Sequence, residues 1–171
     1  VTSLELLFPA SVLGYAEVAF RLALAVALAG LLGWDREEKD RPAGLRTYML
    51  VALAASVFTV LTFEIFETVT ATHPGTSSDP IRIIEAVTAG VAFLAAGTII
   101  QGRNSVRGLT TGAGMWMAGA LGVAVGAGHY LLALMAALLS FAILRFVHLL
   151  QDRARAATPI LIEENPDEDK D

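Results

Sequence analysis

Cysteine is absent from the 171 residues. That excludes disulfides, thiolate metal sites and a cysteine nucleophile, and says nothing about compartment. Charge is absent from long stretches as well. Residues 108–144 hold no Asp, Glu, Lys or Arg across 37 positions, and 47–63 and 86–102 are uncharged over 17 positions each. A helix spanning a bilayer takes about 20 mostly apolar residues, because hydrocarbon offers no partner to an open backbone group. With 55% hydrophobic residues and a mean hydropathy of +0.61, the chain is too apolar for an ordinary soluble domain of its length. An integral membrane protein is expected.

A basic face is missing too. The net charge is −5, from 17 acids and 12 bases. The tail from Glu163 holds six of the acids and one lysine and carries the whole imbalance. No surface for nucleic acid is indicated. There is no P-loop, GxSxG, HExxH or dinucleotide fingerprint. His73, His129 and His148 fall on different connections or ends and do not make a metal set. Neither an enzyme nor a cofactor is expected. Residues 1–16 lack the basic start and cleavage pattern of a signal peptide.

Five helices are predicted, at 18–34, 45–66, 83–100, 109–127 and 130–150. The 37-residue uncharged run must hold two of them, and Gly126-Ala127-Gly128-His129 is its one break. Orientation follows from the bases. Arg36, Lys39, Arg41, Arg46, Arg103, Arg107, Arg145, Arg153, Arg155 and Lys170 fall on one side, against Arg21 and Arg82 on the other. The N-terminus is therefore expected outside and the C-terminus in the cytoplasm. Residues 1–157 form the five-helix transmembrane domain, and 158–171 read as an acidic, disordered cytoplasmic tail.

A shift of 64 residues places Gly33 on Gly97, Gly44 on Gly108, Leu45 on Leu109, Thr47 on Thr111 and Ala54 on Ala118. Two hairpins in a parallel repeat plus a fifth helix account for this, and chance matching of common residues is the alternative. The same shift places Arg21 on Glu85, so an ion pair between the first and third helices is expected, with outward snorkelling as its alternative. On the fourth helix, Gly108, Gly112, Gly119, Gly122 and Gly126 fall near one line at about 100° per residue. Ala86, Gly90 and Gly97 make a shorter stripe on the third. Small residues let membrane helices approach closely, so both stripes are expected to pack within the chain, with a dimer seam or a partner's docking groove as the alternative.

Chemistry concentrates at two places. Asp35, Arg36 and Glu37 lead into Arg46 and Thr47 at the start of the second helix, and Arg107 and Thr111 open the fourth. Helix starts present free N–H groups and a positive dipole end, and arginine adds forked donors. These residues either lock the hairpins through the loop's own acids or hold an anionic or acidic group of a cytoplasmic partner. The outer connection ends in Asp79-Pro80-Ile81-Arg82-Ile83-Ile84-Glu85, where Asp79 reads as an N-cap with Pro80 at the first helical position. Arg21, Asp79, Arg82 and Glu85 form the candidate outer polar site. No metal site is assigned.

Three stretches together resemble the MgtC/SapB family of bacterial membrane proteins: Asp35-Arg36-Glu37 followed by AGLRT at 43–47, DPIRIIEAVTAGVAFLAAGTII at 79–100, and VRGLTTGAGMW at 106–116. Asp35 stands where many members have Glu, and Ala92 and Ala95 replace glycines of the third-helix motif. Some relatives carry a soluble domain after the last helix, in place of which this chain has a short acidic tail. The resemblance implies a multi-pass protein of the bacterial inner membrane, with a role in adaptation to low magnesium and, in pathogens, in survival inside host cells. It also implies control of membrane energetics through a complex such as the proton-driven ATP synthase. A regulator that docks on such a complex is the expected function, with a homo-oligomer as a further expectation. A small oligomeric ion or solute transporter, with a path between the hairpins, is the alternative.

Overall fold

In the computed structural model, residues 13–38, 41–73, 79, 81–101 and 105–157 are described, with 147–157 described by their backbone alone. The expectations for Lys39, Asp40, Pro80, Arg103 and the tail 158–171, and for the side chains of His148, Arg153 and Arg155, lie outside the described residues.

Each gap in the charge pattern becomes a helix. They are α1 (Tyr15–Glu38), α2 (Leu45–Thr72), α3 (Arg82–Ala96), α4 (Leu109–Gly126) and α5 (Tyr130–Ala157). α1 carries its acidic and basic residues in helical form to Glu38, four residues past the expected end. Arg and Glu are good helix formers, and Arg36 in the last turn suits the negative end of the dipole. α2 runs six residues past its expected end. Four of its threonines are accommodated because the hydroxyl donates to the carbonyl four residues back: Thr59 to Ala55 at 2.7 Å, Thr62 to Phe58 at 2.8 Å, Thr68 to Glu64 at 2.8 Å and Thr72 to Thr68 at 2.9 Å.

α3 is the correction. It was expected to reach Ile100 and stops at Ala96. Gly97 is a poor helix former, and the Thr98 hydroxyl donates to the Ala95 carbonyl at 2.7 Å, closing the turn. The β-branched residues that follow go extended. Ile100–Gln101 (β1) pairs antiparallel with Val106–Arg107 (β2), with Ile100 opposite Arg107 and Gln101 opposite Val106. This ribbon is the departure from an all-helical reading. Gly108 then ends the ribbon at φ +88°, where a side chain is strained and a Cβ would also collide with the Thr98 carbonyl oxygen.

α1, α2 and α4 are long and apolar enough to cross a membrane. α3 has 15 residues, about 22 Å of helix, and the apolar stretch Tyr130–Phe146 of α5 is also shorter than a full span.

α4 lies at the centre and packs against all four other helices. Its glycines make this contact, but they divide between two partners. A Cβ at Gly122 would overlap the Ala52 carbonyl, and one at Gly126 would lie 2.9 Å from the Ser56 carbonyl, both on α2. Gly112 and Gly119 instead face Ala95 and Val91 of α3. Gly90 and Gly97 do not pack as expected. Among the described residues, nothing lies within 4 Å of where a Cβ at Gly90 would stand, and one at Gly97 would meet only carbonyls of the preceding turn. The buried core runs through Ala25, Leu28, Leu32, Tyr48, Ala52, Met115, Leu121 and Val125.

Candidate functional site

The turns after α1 and α3 emerge at one end of the bundle, here called the elbow end. Asp35 and Arg36 lie in the last turn of α1, and both are buried. Arg36 Nη2 donates to Asp35 Oδ2 at 2.8 Å, and the Arg36 Nε has no hydrogen-bond partner among the described residues. Arg145 of α5, half exposed, approaches Asp35 Oδ1 at 3.8 Å and donates to Glu38 Oε2 at 3.4 Å. Tyr48, in the first turn of α2 and fully buried, lies within electrostatic reach of Asp35 and Arg36. Its hydroxyl donates to the Thr111 carbonyl of α4 at 3.1 Å. One compact group of charged and polar residues therefore joins α1, α2, α4 and α5. Burying charge is costly unless it is paired, and the two arginines on Asp35 meet that requirement.

Glu37 has a different job. Its Oε2 accepts from the Leu45 N–H at 3.0 Å and caps the start of α2. The carboxylate crosses the position a side chain at Gly44 would occupy. This is a physical reason for glycine in the AGLRT segment. Thr111 is buried, Thr47 is half-buried, and Arg46 and Arg107 are exposed. Neither Arg46 nor Arg107 forms an ion pair with a described residue. Of the seven residues expected here, Asp35, Arg36 and Thr111 come together, Glu37 caps α2, and the rest point to solvent or flank the group. Tyr48, Glu38 and Arg145 were missed. The sequence signal for Arg145 is that it is the first charge after the 37-residue gap.

At the opposite end the expected Arg21–Glu85 pair is not made. Arg21 Nε lies 2.9 Å from Glu17 Oε1, and its Nη1 donates to the Gly126 carbonyl at 2.7 Å. Its guanidinium also sits 5.8 Å from the centre of the Tyr130 ring, and the Tyr130 hydroxyl donates to Glu17. Phe20 packs edge-on to Tyr130 at 5.5 Å. The local partners win for plain reasons. Glu17 is one turn away on the same helix, and the Gly126 carbonyl is an open acceptor at the negative end of α4. Gly128, at φ +82°, leaves room for the guanidinium. Glu85 and Arg82 are exposed on α3. Asp79 Oδ1 accepts from the Ile81 N–H at 2.9 Å, a local turn contact, but α3 begins at Arg82 with Ile81 at its N-cap, so Asp79 is not the N-cap that was expected. Among the described residues no three His, Asp or Glu side chains come together to hold a metal.

Two clefts flank α3. One, about 330 Å³, separates it from α2, and the other, about 420 Å³, lies towards α4 and includes Thr88, Trp116, Gly119 and His129.

Apolar helices packed through glycine, with the buried charges paired near the ends, define a helical membrane protein. Residues 22–153 match the MgtC family, and the chain belongs to it. It is 32% identical over 139 residues to YhiD of Escherichia coli K12, whose name proposes a magnesium transporter; the match covers 81% of this chain and 64% of that one. It is 36% identical over 130 residues to SrpB of Synechococcus elongatus, covering 68% and 67%. It is 39% identical over 113 residues to MgtC of Brucella abortus, covering 66% and 44%. The chain thus spans 64% of the length of YhiD and under half of that MgtC. No solved structure matches it.

Proposed function

We propose that the chain is a non-enzymatic regulator in the bacterial inner membrane that acts during magnesium limitation by docking on another membrane complex, with the proton-driven ATP synthase as the first to test. The elbow end is its docking face and lies in the cytoplasm, and the N-terminus lies outside. The observation that carries the reading is the pair Arg46 and Arg107. They stand exposed at the starts of two helices, with no ion pair to a described residue, while Asp35 and Arg36 nearby pair inside the bundle. Such arginines suit an acidic surface on a partner. The two helices begin 64 residues apart, at Leu45 and Leu109, which is the register of the proposed repeat.

The name of YhiD favours the second reading, a magnesium transporter. A path between the hairpins would run through the cleft between α2 and α3. That cleft is lined by apolar side chains, whereas ion paths in membranes are marked by ionisable or polar groups. This supports the regulator. Affinity capture of the full chain from native membranes is expected to recover a membrane complex, and Arg46→Ala with Arg107→Ala to lose it. Recovery of no partner, together with magnesium flux in liposomes above that of empty vesicles, would select the transporter instead.

A further inference from the structure

The cleft between α2 and α3 is bounded by Val51, Ala54 and Phe58 on one side and Ile83, Gly90 and Leu94 on the other. Ala54, Phe58, Gly90 and Leu94 are exposed, so the cleft opens sideways, where hydrocarbon surrounds the protein. An apolar hollow of this kind gives water nothing to bond to. From Ile83 to Leu94 it runs along about 16 Å of helix and holds about 330 Å³, a narrow hollow in which one extended hydrocarbon chain can lie. Gly90 lines the hollow and leaves it open, since even a Cβ there would meet no described atom within 4 Å.

Charge marks one mouth. Arg82 lies at the first position of α3, one turn before Ala86 and two before Gly90, both of which line the cleft. At intervals of four the three residues fall on one side of the helix, so Arg82 stands just beyond the end of the apolar track. It is exposed and forms no ion pair with a described residue. A cation at the mouth of a slot for one hydrocarbon chain is complementary to a phospholipid, with its phosphate against Arg82.

We propose that the α2–α3 cleft is a phospholipid site, holding one acyl chain over Gly90 and the phosphate at Arg82. The site is independent of the docking reading above.

The test is native mass spectrometry of the full chain, purified in detergent and loaded with palmitoyl-oleoyl phosphatidylglycerol or with the diacylglycerol of the same chains. The unaltered chain is expected to retain one phosphatidylglycerol. Gly90→Leu, which puts a branched side chain into the slot, is expected to cut retention at least tenfold, and Ala54→Leu to do the same from the α2 side. Arg82→Gln is expected to weaken phosphatidylglycerol retention about fivefold and to leave the diacylglycerol unchanged. Helical circular dichroism establishes that each variant is folded. Undiminished retention in either folded leucine variant overturns the proposal. So does disulfide formation between copies bearing Phe58→Cys in a bilayer, clean in a chain without cysteine, because it would put a second copy in the slot.

Discussion

Asp35 and Arg36 are adjacent in sequence, charged, and buried where α1 meets α2, α4 and α5. Removing one member of a buried pair leaves the other charge unmatched, which costs about 3–5 kcal/mol, whereas replacing both by apolar residues of similar size is often neutral. Asp35→Leu alone is therefore expected to destabilise the protein by about that much, and Asp35→Leu with Arg36→Met to recover most of it. Thermal unfolding in detergent, read by circular dichroism, measures both. Equal loss in the single and double variants would mean that the pair does more than balance charge. The sequence showed this pair only as part of an alternating charged loop. Its burial was not legible, because Arg145 and Tyr48 approach it from elements distant along the chain. Arg21 teaches the same lesson. Its register pointed to Glu85, yet Glu17 lies one turn away and the carbonyl of Gly126 was open to it.

At the scale of the element, glycines divide by what they face. Gly122 lies against the α2 backbone, and Gly90 faces open space. Gly122→Leu is expected to abolish the folded monomer, since the Ala52 carbonyl cannot retreat cheaply. Gly90→Ala is expected to raise stability by about 0.5–1 kcal/mol through helix propensity alone. Fluorescence-detected size exclusion after heating separates the two. The helices themselves were legible, because a charge gap and a span share one cause: hydrocarbon excludes both unpaired charge and open backbone. The end of α3 was not. Ile99 and Ile100 continue the hydropathy without a break, so nothing in the charge pattern marks the change from helix to ribbon. Backbone preferences at Gly97 and Thr98 decide it, and these are weak against an apolar run. The glycine line on α4 was likewise visible as a line, but its division between α2 and α3 depends on where those helices stand.

For the whole molecule, the distribution of bases predicts that both elbows face the cytoplasm. Alkaline phosphatase and green fluorescent protein fusions at Asp40, Gly75 and Asn104 test this. The phosphatase is expected to be active only at Gly75, and the fluorescent protein to mature only at Asp40 and Asn104. Phosphatase activity at either elbow would invert the orientation and, with it, the docking face proposed for Arg46 and Arg107.

α1 carries a charged group towards each end, Arg21 with Glu17 and Asp35 with Arg36. Fourteen residues separate Arg21 from Asp35, about 21 Å of rise, against a hydrocarbon thickness of about 30 Å. With the two groups centred in a bilayer, each would sit a few ångströms inside the lipid boundary, and α1 would act as a gauge of membrane thickness. Lipids with short tails bring the two groups out to the headgroups. Long tails draw them inward, where only their mutual pairing keeps them charged, so the bundle is best matched to a thin bilayer.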